Sequence, residues 1–423
     1  MEEHLFRMLF YSHDSFGLGH IRRTLAIVHH LTHSIPRLSA LIVTGSSIVD
    51  RYIMPKNTDY IRFPGITKVE SGKYSTRNLG IPPDETVQIR EKIISAAVES
   101  FRPHVVVVDK SPLGLQGEMM QGLQLIKTLL PSSRKVLGLR DIEDDRNSVI
   151  RDWKDAGVYD LMNEHYNEIW VYGNQEVYDP IQEYDLPSDL ARKIIFTGYI
   201  HRDKASSRYP KGRPKTGGAL PTVLVTTGGG EDGEFLLANY LEGIELLGNP
   251  PFRSIVISGP FLDQSKKRRM MRFAEALDKV VFLRFHLNLM ATMAKADLIV
   301  CMGGYNTLCE ILSLKKWALV VPRVRPRTEQ LIRAGRFQSL DLMEMIHPDE
   351  VSPMRLMERV IARLQQPRAP DFRANEFSMD GLLRIENRVK AIVNEMGYSL
   401  PEASLDKQDN NRKSLLTFGG GLA

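Results

Sequence analysis

The stretch Met302-Gly303-Gly304-Tyr305-Asn306-Thr307-Leu308-Cys309-Glu310 decides how the chain is read. It follows a short apolar run, Leu298 to Cys301, and passes directly into a helical pattern. Two adjacent glycines let the backbone turn sharply and approach a ligand closely. The helix beyond them presents unpaired N–H groups and the positive end of its dipole, for which an anion, most often a phosphate, is the natural occupant. Glu310, inside that helix, is placed to accept hydrogen bonds from a sugar diol beyond the phosphates. The stretch therefore predicts a nucleotide site at the end of a β-strand.

Outward from it, short apolar runs alternate with helix-period segments along the whole chain, the pattern of parallel sheets with crossover helices. The first half predicts strands at 8–12, 40–44, 105–109, 136–139, 168–172 and 193–197, with helices at 21–32, 86–101 and 115–129. The second half restarts the pattern with strands at 222–226, 254–258, 280–284, 298–302 and 318–322. Its helices are expected at 234–247, 266–277, 287–294, 307–314 and 328–334, with a last one at 381–395. Residues 203–221 carry Lys, Arg, Ser, Pro and Gly without hydrophobic period and read as a linker. The division expected is an acceptor-binding domain at 1–202, a nucleotide-binding domain at 222–378, a C-terminal helix within 379–398 and a disordered tail at 399–423. Two α/β domains facing each other leave a cleft lined by the turns at the C-terminal strand ends.

The bulk numbers agree with this. A chain of 423 residues exceeds one ordinary core, and 43% hydrophobic with 25% charged residues is a globular composition. A net charge of +5 suits an anionic small molecule or a visit to an anionic membrane surface, and no nucleic-acid-binding module accompanies it. The two cysteines, Cys301 and Cys309, fall in segments that read as buried, as expected for a reducing compartment. Met-Glu-Glu-His does not open a signal peptide and no apolar run is long enough to span a bilayer, so a cytoplasmic location is expected.

Further turns carry candidate chemistry. Ser12 to Arg23 contains Gly17-Leu18-Gly19-His20, but Arg22 stands where a dinucleotide fingerprint would need glycine. His20, at the start of the following helix, is a candidate general base; the competing reading is a solvated polar residue. Arg22 and Arg23 read equally as phosphate ligands or as a solvated helix face. Thr226-Thr227-Gly228-Gly229-Gly230 lacks the Gly-Lys-Ser/Thr ending of a P-loop, yet three glycines before a helix can cradle a diphosphate. Arg323, Arg325 and Arg327 precede Glu329 and Gln330 and suit an anionic ligand with a hydroxyl-bearing neighbour. His286 and Leu287 follow another strand and can offer backbone groups to a base edge, or simply lead into a helix. Asp141, Glu143, Asp144 and Asp145 match no metal-binding spacing and read as a charged loop at the cleft rim. Asp109, at the end of its strand, is placed to steer an acceptor or to pair with His20.

Together these residues resemble the GT-B glycosyltransferases, and among them the family of the bacterial peptidoglycan N-acetylglucosaminyltransferase, glycosyltransferase family 28. The resemblance is strongest between Phe285 and Phe337. It implies a GT-B fold, two Rossmann-like domains with parallel sheets facing across a cleft. It also implies that Gly303, Gly304, Asn306, Thr307 and Glu310 hold the donor, with Glu310 on the ribose and Gln330, beside Glu329, on the donor sugar. Gly228, Gly229 and Gly230 resemble the diphosphate loop. Gly17, Gly19 and His20 resemble the family's Gly-Gly-His, with Gly17, Gly19 and Asp109 on the acceptor or phosphate side. The proline that usually follows that His is replaced by Arg22 and Arg23, which bears on the acceptor more than on the fold. Where retaining GT-B enzymes carry a partner glutamate, this chain has Met302, so inversion is expected.

The implied function is a metal-independent transfer of an N-acetylhexosamine or hexose from a nucleoside-diphosphate donor, a UDP-sugar by resemblance, to an acceptor hydroxyl. No cofactor is expected beyond the sugar nucleotide itself, and the acceptor is lipid-linked or a polysaccharide, with peripheral membrane association where it is a lipid. Two other readings stand beside this one: a UDP-N-acetylglucosamine epimerase, and a non-catalytic nucleotide-sugar-binding subunit.

Overall fold

Residues 5–13, 19–70, 73–200, 220–286, 288–372 and 377–398 are described in the computed structural model. Strands β1 (Phe6–Ser12), β2 (Leu38–Thr44) and β3 (Thr58–Arg62) are followed by an antiparallel hairpin of β4 (Ile66–Glu70) and β5 (Lys73–Thr76). The chain then adds β6 (Val105–Asp109), β7 (Arg134–Arg140), β8 (Glu168–Tyr172) and β9 (Ile194–Phe196). Apart from the hairpin, these strands form one parallel sheet in the order β3-β2-β1-β6-β7-β8-β9. A second parallel sheet holds β10 (Thr222–Thr226), β11 (Arg253–Ile257), β12 (Val280–Leu283), β13 (Leu298–Cys301), β14 (Ala318–Val320) and β15 (Glu344–Met345), in the order β12-β11-β10-β13-β14-β15.

Helices cover both faces of each sheet, which is why the central strands read as unbroken apolar runs rather than alternating ones. Every residue of β6 is buried, Asp109 included, and so is every residue of β13. In both sheets the strand order reverses beside the first strand: between β1 and β6, and again between β10 and β13. Helices leave these neighbouring strands toward opposite faces, so a crevice opens at the C-terminal strand ends. The glycine-bearing turns after β10 and β13, Gly19 at the start of the helix that follows β1, and Asp109 at the end of β6 all fall at those crevices.

Several features differ from the sequence expectation, among them the unanticipated helices Arg146–Asp155, Val158–His165 and Pro353–Gln365 and the strands β3 and β15. The helix expected at 115–129 is a short turn, Leu115–Gly117, and then a helix, Met120–Leu129, because the backbone at Gly114 (φ 70°) and Gly117 (φ 86°) lies in the left-handed region. Residues 66–70 and 73–76, for which no strand is expected from the sequence, pair as the β4–β5 hairpin. The tail at 399–423, and the linker apart from 220–221, lie outside the described residues.

The helix Gly381–Glu395 belongs to the end of the chain but packs on the first sheet's helix Gly19–Ser34. Arg388 donates to both carboxylate oxygens of Glu168 (3.0 Å each), and His30 Nε2 meets Glu386 at 2.7 Å. One apolar cluster consequently runs from Phe10 and Trp170 through Leu308 and Phe337 to Val389. Polar contacts join the two sheets more directly. Arg333 donates to Asp141 at 2.7 and 2.9 Å, with both side chains 1% exposed, and also to the Ile142 carbonyl (3.3 Å). Tyr305 donates to the Tyr172 carbonyl (2.8 Å) and accepts from the Ile200 N–H (3.3 Å).

Removing one member of a buried ion pair leaves the other charged and unpaired, which costs about 3–5 kcal/mol. Arg333→Met is therefore expected to lower the denaturation midpoint strongly. Asp141→Asn combined with Arg333→Met should recover part of the loss, since the residual charge is gone. Chemical denaturation of the wild type and the two variants checks the order of stabilities.

Candidate active site

His20 is the second residue of the helix Gly19–Ser34 and is 8% exposed. Its ring Nδ1 hydrogen-bonds to Asp109 Oδ2, and the other carboxylate oxygen of Asp109 accepts from Arg23 at 2.5 Å. Burial pushes the Asp109 carboxyl up, but the charges and hydrogen bonds of Arg23 and His20 together outweigh it and hold the group well below the usual carboxylate range. Asp109 is therefore an anion that fixes the proton on Nδ1 and leaves Nε2 unprotonated. Burial, reinforced by Arg23 and Lys110 and opposed by Asp109, lowers the His20 pKa to about 4. At neutral pH the imidazole is uncharged and able to accept a proton.

Arg23 is 3% exposed, its guanidinium 5.1 Å from the Tyr172 ring centre and 5.7 Å from that of Tyr305. It is neither a phosphate ligand nor a solvated helix face: three positions after His20, it shares that residue's side of the helix and completes the pairing of Asp109. The solvated reading of His20 fails on burial alone. His13 and Lys110, which the sequence did not single out, border the pair. His13 packs edge-on against the His20 ring (5.4 Å between centres), and its buried Nδ1 has no hydrogen-bond partner. Lys110 is half-buried in a left-handed conformation (φ 74°), its pKa pulled down to about 8 by burial and by Arg140.

On the other side of the cleft, Gly303 takes φ 84°, a left-handed turn that glycine adopts without strain, and its carbonyl accepts from Arg333 at 3.4 Å. Gly304 caps the helix Tyr305–Ser313, on which Asn306, Thr307 and Glu310 lie. The two glycine turns are neighbours, since a Cβ at Gly228 would lie 3.5 Å from Thr307 Oγ1. Gly230 packs against the end of β11, where a Cβ would collide with the Ser258 carbonyl at 2.0 Å; Gly229 lies between them. A Cβ on Gly19 would come within 2.8 Å of Asn306 Nδ2, so the helix bearing His20 and the helix bearing Glu310 nearly touch at their N-termini.

Glu310 is 5% exposed; one of its oxygens pairs with Arg22 from the opposite sheet, and the other is buried without a partner. Glu329 has the same arrangement: Oε1 accepts from Arg323 (2.5 Å) while Oε2 is buried and unpartnered. Gln330 uses its carbonyl oxygen to accept the Arg323 backbone N–H at 3.2 Å. Two buried carboxylate oxygens with no donor mark places where ligand hydroxyls fit.

Not every candidate converges here. His286 follows β12, the sheet's edge strand, and its Nδ1 accepts the Asn288 N–H (3.2 Å), while Asn288 caps the helix Leu289–Lys295. Gly17 and Leu287 lie outside the described residues. The charged loop at the rim is paired throughout: Asp141 binds Arg333, Asp144 accepts from Thr328 N (2.7 Å) across the cleft, Glu143 pairs with Arg140 (3.3 Å) and Asp145 caps the helix Arg146–Asp155. Among the described residues no group of three or more His, Cys, Asp or Glu is arranged to hold a metal ion.

Residues 222–393 match the glycosyltransferase family 28 C-terminal domain. The chain is 23% identical over 352 residues to the UDP-N-acetylglucosamine–N-acetylmuramyl-(pentapeptide) pyrophosphoryl-undecaprenol N-acetylglucosamine transferase of Alkaliphilus oremlandii, covering 81% of this chain and 86% of that protein. The calicheamicin glycosyltransferase CalG4 superposes with a TM-score of 0.59 at 16% identity, covering 92% of this chain and 98% of that one. A UDP-N-acetylglucosamine 2-epimerase superposes with 0.58 at 12% identity, covering 94% and 99%. Likeness at such identities establishes the architecture, and the matched C-terminal domain adds the activity. The chain is a family-28-like glycosyltransferase of the GT-B fold.

Proposed function

We propose that the enzyme transfers a sugar, an N-acetylhexosamine or a hexose, from a UDP-sugar to a hydroxyl of a lipid-linked acceptor, with inversion at the anomeric carbon. The pairing of His20 with Asp109 beside the N-terminus of the Glu310 helix is the observation that carries this reading. His20 Nε2 takes the proton from the acceptor hydroxyl as its oxygen attacks the anomeric carbon from the face opposite the leaving diphosphate. Asp109 keeps the required tautomer and stabilises the imidazolium that forms. The bond to the leaving oxygen breaks as the new glycosidic bond forms, and the departing charge falls to the N–H groups of the 228–230 turn and of the helix beginning at Tyr305. Glu310 holds the ribose diol, and Glu329, with the amide NH2 of Gln330, holds hydroxyls of the donor sugar. The acceptor class is supported by the activity that gives the Alkaliphilus relative its name and by large apolar side chains exposed on the first domain, Ile53 (98%) and Leu79 (41%) among them. No helix among the described residues is long and apolar enough to cross a membrane, which suits attachment at a surface.

Nucleotide binding tests the donor half. UDP should raise the melting temperature more than GDP, dTDP or ADP, and Glu310→Ala should abolish the difference while the protein stays folded. An equal response to all four would remove the case for UDP.

His20→Ala and Asp109→Asn should each lower kcat by about 10²–10⁴-fold with little change in UDP affinity, because the base acts on the acceptor and not on the donor. Turnover should persist in EDTA, and an absolute requirement for Mg²⁺ or Mn²⁺ would defeat the amide-based account of the leaving group. Donor alone should give no epimer; its appearance would favour the epimerases that share this fold.

Since the folded pKa of His20 is about 4, its ring should remain neutral throughout the physiological range. Histidine-selective NMR should show no titration of His20 between pH 5.5 and 8. A midpoint near 6.5 would mean that the side chain is solvated.

A further inference from the structure

Away from the cleft, at the edge of the second sheet, lies a cavity of about 440 Å³ bounded by β15, Trp317 and the helix Pro353–Gln365. Four guanidinium groups line it, those of Arg355, Arg359, Arg363 and Arg368, against three carboxylates. Arg359 and Arg363 both clasp Glu344, a lining residue whose side chain is 11% exposed. The other two pairs, Arg355–Glu350 and Arg368–Asp341, each 2.7 Å long, have side chains roughly half exposed on both partners. Pairs of that kind contribute about 0–1 kcal/mol and open readily, which frees two guanidinium groups for another anion.

A second observation points the same way. Two polar atoms at this cavity are buried without a partner, Trp317 Nε1 and Arg363 Nε, and both are donors. The Trp317 ring is covered by Arg363 (5.3 Å) and Arg368 (4.9 Å), which holds those guanidinium groups in place over it. Several arginine forks on one cavity, with unsatisfied donors on Arg363 and Trp317 beside them, match the several oxygens of a phosphate better than the two of a carboxylate. We propose that this cavity binds a phosphate-bearing ligand, separately from the sugar-nucleotide cleft.

The helix Glu329–Ser339 runs from the donor side to this cavity. Glu329 and Gln330 lie at its first turn, and Gln338, which lines the cavity, accepts the Met345 N–H at 2.7 Å. At about 1.5 Å per residue, the two ends are roughly 16 Å apart, so the sites are connected but do not overlap.

The chain contains three tryptophans, so 5-fluorotryptophan labelling should give three ¹⁹F signals, with Trp317 assigned from Trp317→Phe. Inorganic pyrophosphate, titrated in the presence of saturating UDP, should shift the Trp317 signal saturably and leave Trp170 unmoved. The double variant Arg355→Gln, Arg368→Gln changes two half-exposed side chains remote from the cleft; it should weaken this binding at least fivefold while leaving turnover without pyrophosphate unchanged. Cosedimentation with phosphatidylglycerol vesicles, against phosphatidylcholine controls, separates the two sources of phosphate. Vesicle binding lost in the double variant assigns the site to lipid headgroups, and pyrophosphate binding without it assigns a soluble ligand. A Trp317 signal that does not move, or moves equally in wild type and variant with no variant-sensitive vesicle binding, overturns the proposal.

Discussion

The buried ion pair between Asp141 and Arg333 is the contact on which the geometry of the cleft depends. Each side chain is almost wholly removed from water, so neither charge is tolerable without the other. The pair also fixes directions. Arg333 reaches the carbonyl of Gly303, the residue that turns the chain from strand into helix, while Asp141 follows β7 of the opposite sheet. One guanidinium thereby sets where the Glu310 helix begins relative to the strand ends that carry Asp109. A hydrophobic replacement could fill the space, but it would not specify the orientation of two surfaces that must hold a nucleotide between them.

How much of this was legible in advance follows from the range of each interaction. The valines of β6 and the apolar run of β13 announce strands covered on both faces, and glycines beside them announce the turns. Such signals are local, and they placed the strands around both crevices. Strand β3, Thr-Asp-Tyr-Ile-Arg, is partly exposed at an edge, and its mixed composition carries no comparable signal. Partner identities are another matter. Asp141 reads as a rim carboxylate until Arg333, from a remote part of the chain, is brought to it. Arg23 reads equally as a phosphate ligand or a surface cation until two tyrosines and Asp109 enclose it. Tyr305 stands inside the motif that decides the fold, yet nothing local indicates that its hydroxyl bridges Tyr172 and Ile200. Lys110 owes its place beside His20 to a single left-handed backbone conformation at a non-glycine residue, which no side-chain pattern encodes.

The site itself combines two kinds of preparation. On the His20 side, charge is fully compensated: Asp109 answers both Arg23 and the imidazole. On the Glu310 side it is half compensated, because Glu310 and Glu329 each hold one oxygen in an ion pair and leave the other without a donor. Buried acceptors in that state are costly. A ligand that supplies hydroxyl groups would relieve the cost, so the local instability at Glu310 and Glu329 favours a hydroxyl-bearing occupant.

The return of the helix Gly381–Glu395 to the first sheet has a mechanical meaning. The chain passes from one domain to the other twice, once after Tyr199 and Ile200 and again before Gly381. These two passages lie side by side, joined by the Gly381 N–H to the Tyr199 carbonyl (3.2 Å) and by Asn174 Nδ2 to the Ser378 carbonyl (3.2 Å). A door hung on two adjacent pins can swing and twist about that corner but cannot slide. Opening of the cleft to exchange substrates is then confined to rotation about one corner, with the parts farthest from Tyr199 travelling the greatest distance.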